Sequence, residues 1–289
     1  MKSRIGLCSS LLAVAMMVSS LAQAAATTTL VAPADLMLAI RAKDDAATRA
    51  AAVRLQASAD AGGSHAMYDI GSLYRQSSRK GAAVFAYDPG KALKWLTRAF
   101  DSGRLTAAYK IALTYASIDD DMEAMGWAQV YSHYMQPREK SGNQQQLRLA
   151  LLNDLYARIG RNRESAIEAR LMSLLDKHGP DYEASQRRDE PMHPDWIADG
   201  DECKVTKPLK GKPEKTRIPE VGLVEYLVAI DTRGQPGDFV ALDSAPHAML
   251  ERDLRAVVMR LDCKPQAGTR YVFQNVHLQL ASRLELDND

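Results

Sequence analysis

Residues 91–116 read "KALKWLTRAFDSGRLTAAYKIALTYA". Ala92, Trp95, Leu96, Ala99, Phe100 and Gly103 fall at i, i+3, i+4, i+7, i+8 and i+11, which draws one apolar stripe along a helix. The small members of the stripe admit a neighbouring helix, Trp95 and Phe100 fill the gaps, and Gly103 ends the helix as a C-terminal cap. The pattern recurs. "DAGGSHAMYDIGSLY" (60–74) aligns with "DSGRLTAAYKIALTY" (101–115), pairing Asp60 with Asp101, Gly62 with Gly103, Ala66 with Ala107, Ile70 with Ile111 and Tyr74 with Tyr115. Ala51 falls opposite Ala92 in the same frame, and "EAMGWAQVY" (123–131) repeats the spacing of "KALKWLTRAF" after a shorter loop. A period of about 40 residues is the signature of stacked helix pairs. Tyr74, Tyr115 and Trp127 are expected to stack in that core. Beyond Pro137, Leu147, Leu151 and Leu155, then Ile167, Leu171, Leu174 and Leu175, keep helical spacing. Two capping helices are expected there, ending at Gly160 and Gly179, with Pro180 just past the second.

Upstream of the repeats the chain opens "MKSRIGLCSSLLAVAMMVSSLAQA". Lys2 and Arg4 precede an apolar run, and Ala22-Gln23-Ala24 closes it with an A-x-A pattern. This is the form of an export signal cut between Ala24 and Ala25. An uncleaved anchor helix is the alternative, and the run is at the short limit for a membrane span. Without Lys2 and Arg4 the 37 basic residues become 35 against 36 acidic ones, a net charge of −1 that argues against a nucleic-acid partner. After signal removal no run of 18 apolar residues is left, so no stable membrane insertion is expected. Export also makes the cysteines informative. Cys8 leaves with the signal, and Cys203 and Cys263 remain to form one disulfide in an oxidising compartment, with two structural thiols as the alternative.

Six of the 12 prolines lie between Pro180 and Pro219, which marks a linker by composition. Within it Lys204, Lys207, Lys210, Lys212, Lys215 and Arg217 meet only Glu214, either a patch for anionic envelope polymers or a solvated face. From Gly222 the period falls to 2: "GLVEYLVAID" and "DFVALD" form a hairpin around "TRGQPG". A helix is expected from about Pro246, its stripe being Leu250, Leu254, Val257, Val258 and Leu261. "YVFQNVHLQL" then makes a third strand with Val272, Val276, Leu278 and Leu280 pointing inward.

Two family resemblances follow from these residues. "AMYDIGSLYRQ…GAAVFAYDPGKALKWLTRAFDSG" resembles a Sel-one-like repeat, related to the tetratricopeptide repeat, through Ala66, Gly71, Tyr74, Gly81, Asp88, Lys91, Ala92, Trp95, Ala99 and Gly103. The resemblance implies paired antiparallel helices stacked into a short superhelix that serves as an adaptor. The second copy departs from the pattern with Ala112 where the first has Gly71. The C-terminal stretch resembles the C-terminal domain of TonB through Val224, Val228, Ile230, Asp231, Gly234, Val240, Leu250, Ala256, Val257, Pro265 and Gly268. That resemblance implies a small sheet whose open edge can accept an extended peptide, or whose edge is covered by residues 200–210 under the disulfide. TonB itself has an uncleaved anchor and a long proline-lysine spacer, and this chain shows neither.

Catalytic patterns are missing. The six histidines (His65, His133, His178, His193, His247, His277) are scattered, with His65 read in a repeat loop and His277 pointing to solvent. No C-x-x-C, G-x-S-x-G or phosphate-loop pattern occurs. Asp119-Asp120-Asp121 reads as a helix start rather than a calcium loop. The sequence therefore points to a multidomain chain, α then α+β, with no catalytic, cofactor or metal residues. Its expected parts are a signal at 1–24, an α-solenoid at 25–179, a linker at 180–215 and a small ββαβ domain at 216–283. The expected role is a periplasmic adaptor that binds envelope proteins or peptides through the solenoid groove and the sheet edge. The competing expectation is an anchored, TonB-like energy-coupling helper of outer-membrane transport.

Overall fold

A computed structural model describes residues 35–36, 39–40, 42–76, 85–138, 142–160, 162–186, 203–205, 221–245, 255–256, 258–265 and 270–279. The signal residues, Ala24 and Ala25 included, lie outside these, as do Gly81, Leu250, Leu254, Val257, Gly268 and Leu280. Among the described residues seven full α-helices precede the strands: α1 (Asp45–Asp60), α2 (Ser64–Arg75), α3 (Pro89–Asp101), α4 (Leu105–Ala116), α5 (Asp121–Met135), α6 (Gly142–Ile159) and α7 (Glu164–Gln186). Helical backbone is also described at 35–36, 39–40 and 42, ahead of α1. The strands are β1 (Cys203–Val205), β2 (Val221–Ile230), β3 (Pro236–Ala245), β4 (Leu261–Cys263) and β5 (Arg270–Gln279).

The helix ends follow their sequence signals. Asp88 caps α3 by accepting a bond from the Lys91 amide, with Pro89 in the first turn. Asp44 caps α1 in the same way, and Asp120 caps α5, so the acidic run does start a helix. Gly62 and Gly103, at equivalent repeat positions, both adopt φ of +100°, as glycines past a helix end do. Gly71 has another purpose: a Cβ there would lie 2.6 Å from Leu96 Cγ, so its lack of a side chain sets the approach of α2 to α3. Ala92, Leu96, Ala99 and Phe100 are fully buried, as the opening stripe requires.

Phe100 is the aromatic hub of the helical core. It meets Trp127 edge-on at 5.4 Å and stacks on Tyr182 at 4.7 Å. Trp127 is buried in this core, while Tyr74, half-buried, packs edge-on against Phe85 at 5.4 Å. Tyr115 is half-buried against the same core. The expected helix stop at Gly179–Pro180 does not occur: α7 runs through Pro180 to Gln186. A proline inside a helix costs about 3 kcal/mol. Beyond it, however, Tyr182 is buried on Phe100, and His178 pairs with Asp101 at 2.8 Å. Burying such a side chain contributes about 1.5–3 kcal/mol, so packing keeps the helix going. Gly160 does end α6, with φ of +82°.

The main sheet is antiparallel, three-stranded and ordered β3-β2-β5. Val224, Tyr226, Val228 and Ile230 of β2 are buried on one face with Ala241, Val258, Leu261 and Cys263. Val272 and Val276 stand opposite Val228 and Val224 in the register. The expectation that Leu261 continues the helix is corrected: helical backbone is described at 255–256 and 258, and Leu261 belongs to β4. β4 pairs antiparallel with β1, setting Cys203 opposite Cys263, which is disulfide-bonded. Leu261 and Cys263 turn inward and Asp262 outward, the alternation of a strand. The β1–β4 pair forms its own two-stranded sheet, so residues 203–205 do not cover an edge of the larger one.

Between β2 and β3, Asp231 accepts bonds from the amides of Arg233 and Gln235 and so shapes the turn. Gly234 has φ of +85°, and a Cβ there would lie 1.9 Å from the Cys263 carbonyl oxygen. The Cys263 amide donates to the Gly234 carbonyl at 2.9 Å, which docks the turn on the disulfide strand.

Candidate functional site

Two apolar cores are present, one among the helices and one under the sheet, and a polar seam joins them. α2 lies against β3, and α6 lies against β2. The seam starts from an irregularity in strand pairing. Glu225 pairs with Asp243, but the next residue, Tyr226, pairs with Ala241, leaving Leu242 as an extra residue in β3. Such a bulge re-aims side chains. Here it lets Asp243 and the Leu242 carbonyl both meet the helices.

Arg75 and Gln76, at the C-terminal end of α2, take those groups. The Arg75 guanidinium donates to both carboxylate oxygens of Asp243 and to the Ser244 carbonyl at 2.8 Å. The Gln76 amide donates to Asp243 and to the Leu242 carbonyl. From α4, the Lys110 ammonium donates to Glu225 Oε2 and to Ser72 Oγ, each at 2.6 Å, and lies 3.1 Å from Asp243. It also sits 3.8 Å above the Tyr68 ring. The side chains of Arg75, Lys110, Glu225 and Asp243 are all at most 8% exposed, so these charges have left water.

Two cations against two carboxylates make the set electrically even, which is what allows its burial. Burial alone would push the Lys110 ammonium toward losing its proton, but the Glu225 carboxylate outweighs it and holds Lys110 above the ordinary lysine range. Burial opposes the charge on Asp243 as well, and there Arg75 and Lys110 win, holding the carboxyl well below the usual carboxylate range. Tyr68 and Tyr109 are pushed up, mainly by burial, and stay neutral phenols.

The sequence points to none of the four as part of an ion set, because their partners lie 115 to 168 residues away. Asp243 reads there, with Ser244, as a cap for the helix expected from Pro246, and lies instead in β3, bound by Arg75 and Gln76. One signal was present. Tyr68 and Tyr109, and beside them Asp69 and Lys110, share the repeat frame that pairs Ala66 with Ala107. Opposite charges at equivalent inward positions mark a face prepared for something charged. The expected site residues fall elsewhere: Cys263 and Cys203 lie in the β1–β4 pair beneath the sheet, not in the seam. His65 lies in the first turn of α2 rather than in a loop, where its Nε2 is 3.3 Å from Arg104. The side chain of His277 is outside the described residues.

The seam has the chemistry of a clamp. No group of His, Cys, Asp and Glu suited to hold a metal ion occurs among the described residues. No helix among them is long and apolar enough to cross a membrane. Neither a known protein family, nor a characterised protein, nor a solved structure matches this chain.

Proposed function

We propose that this chain is an exported periplasmic adaptor of the cell envelope, without catalytic activity. Its helical repeats form a short solenoid, and its C-terminal part is a TonB-like ββαβ module. The observation that carries the reading is the buried clamp of Arg75, Gln76 and Lys110 on Glu225 and Asp243. Side chains enclosed in this way are unavailable to substrate, and they fix one element against another. The helix face that the repeat pattern suggested as a binding groove is in part taken by the chain's own sheet. Partner binding in this reading therefore falls to the sheet edge. β3 is an edge strand of the three-stranded sheet, and Gly237 and Asp238 in its first half are exposed. An extended peptide can add to such an edge by main-chain hydrogen bonds.

Site-specific photocrosslinking in cells tests this. A photoreactive residue at position 238 is expected to give discrete adducts with envelope proteins, lost when Val240→Pro disturbs the edge. The same residue at exposed position 149 on α6 should give none. Adducts from position 149 alone, or adducts from 238 that survive Val240→Pro, refute the assignment.

A further inference from the structure

Asp69 follows Tyr68 on α2 and is 2% exposed, and its Oδ2 has no hydrogen-bond partner. It lines a small cavity otherwise walled by Leu36, Ile40, Leu55, Leu73, Val240 and Leu242. Those walls come from three places: the helical residues at 35–36 and 39–40, the α1–α2 pair, and β3. Every wall residue except Asp69 is apolar, so a carboxylate there would lack the donors and water a buried charge requires.

The charges of the seam beside Asp69 are matched among themselves. Arg75 on α2 and Lys110 on α4 face Glu225 and Asp243 from the sheet. Arg104, just before α4, lies over the Tyr68 ring at 5.2 Å and beside His65. On the outer side, Asp35 and Arg54 of α1 pair with each other at 2.9 Å. An ionised Asp69 would put a further negative charge beside the balanced set. Burial, with the Glu225 carboxylate adding to it, pushes the Asp69 carboxyl up to about 8, against the pull of Arg104 and Lys110.

We propose that residues 35–36 and 39–40 form a strap over Asp69, and that loss of the Asp69 proton releases the strap while the sheet stays docked. Which wall yields follows from what holds each one. β3 is tied by buried bonds from Arg75, Gln76 and Lys110. α1 packs along α2 through Ala51, Leu55 and Ala59, all at most 1% exposed. The strap has the apolar contacts of Leu36, Ala39 and Ile40 and one half-exposed ion pair, which solvent screens. It also has a hinge: Lys43 takes φ of +55° between the strap and α1, and the Asp44 amide bonds back to Ala39. Because Asp69 keeps its proton more firmly in the closed state than in the open one, closure is favoured at low pH, weakens as the pH rises from the ordinary value of 3.8 to about 8, and changes no further above that.

Hydrogen–deuterium exchange on the full, oxidised chain between about pH 4.5 and 9.5 reads the strap directly, once intrinsic exchange rates are divided out. Peptides covering 35–42 should lose protection by up to about tenfold per pH unit as the pH rises toward about 8, the limit for release of one proton, and should level off above it. Peptides covering 221–245 should keep theirs, and Asp69→Asn should flatten the strap's profile. A flat profile in the native chain, an unchanged profile in Asp69→Asn, or joint loss of protection in 221–245 overturns the proposal. If Asp69→Asn does not fold, a carbon-13 titration of the native Asp69 carboxyl decides. A midpoint near the ordinary value of 3.8 overturns the proposal, and one above about 7 supports it.

Discussion

Replacing Lys110 by methionine keeps most of the side-chain volume and removes one charge from the seam. Glu225 then loses its 2.6 Å partner, Ser72 Oγ loses its donor, and Asp243 is left with Arg75 and Gln76. Two buried carboxylates would share one guanidinium. Removing one member of a buried pair costs about 3–5 kcal/mol, since the remaining charge has been desolvated without compensation. For a chain of this size each kcal/mol corresponds to about 2–4 °C, so Tm should fall by between about 6 and 20 °C. Urea titration followed by far-UV circular dichroism supplies the free energy, and added salt should change the difference little because the pair is buried. Adding Glu225→Gln removes the orphaned carboxylate and leaves Arg75 with Asp243, an even set again. The double variant should recover at least half of the loss. A cost below about 1 kcal/mol for Lys110→Met, or a double variant less stable than the single one, would refute the view that this ion set needs charge balance.

Three further outcomes follow from the geometry. Gly234→Ala should destabilise by more than about 2 kcal/mol in thermal unfolding, because it combines a positive φ with a Cβ 1.9 Å from the Cys263 carbonyl oxygen; a smaller loss means the turn can retreat from β4. The Asp243 carboxyl titrates lower in the folded chain than its ordinary value of 3.8, so its stabilisation is complete above that value and declines as the pH falls below it. Denaturant midpoints between about pH 2 and 6 should show this decline, and Asp243→Asn, less stable throughout, should show a shallower one. With Cys203 and Cys263 bridged across 60 residues of chain, reduction should cost about 4 kcal/mol, read as a drop in Tm on adding dithiothreitol; no shift would mean Cys263 is not bonded across the ladder to Cys203.

The helical half was legible because its signals are local. Gly62, Asp88 and Gly103 act within one turn of their own positions, and the Trp95–Phe100 stripe declares its face by spacing. Pro180 misled for the same reason: its local preference is to stop a helix, and the opposing term, Tyr182 on Phe100, comes from a residue 82 positions earlier. Leu261 fits the preceding helical stripe, and only pairing with Val205 makes it a strand residue. Glu225 was the subtlest. Between Val224 and Tyr226 it occupies the polar phase of an alternating strand, which ordinarily faces water. Here that phase faces the helices, and Lys110 replaces the water. The bulge at Leu242 is set by strand pairing, which the chain's own order does not display.

The bulge has an evolutionary consequence. Arrays of helix pairs commonly gain or lose a unit by duplication, since each unit touches only its neighbours. Here Arg75 of α2 and Lys110 of α4, from successive units of the proposed solenoid, grip the same hairpin at Asp243 and Glu225. A unit inserted between them would carry one cation out of reach of its acid and strand it in the interior. In the proposed solenoid the hairpin would act as a gauge for the array, and between α2 and α4 relatives of this chain should vary in loop length but not in helix number.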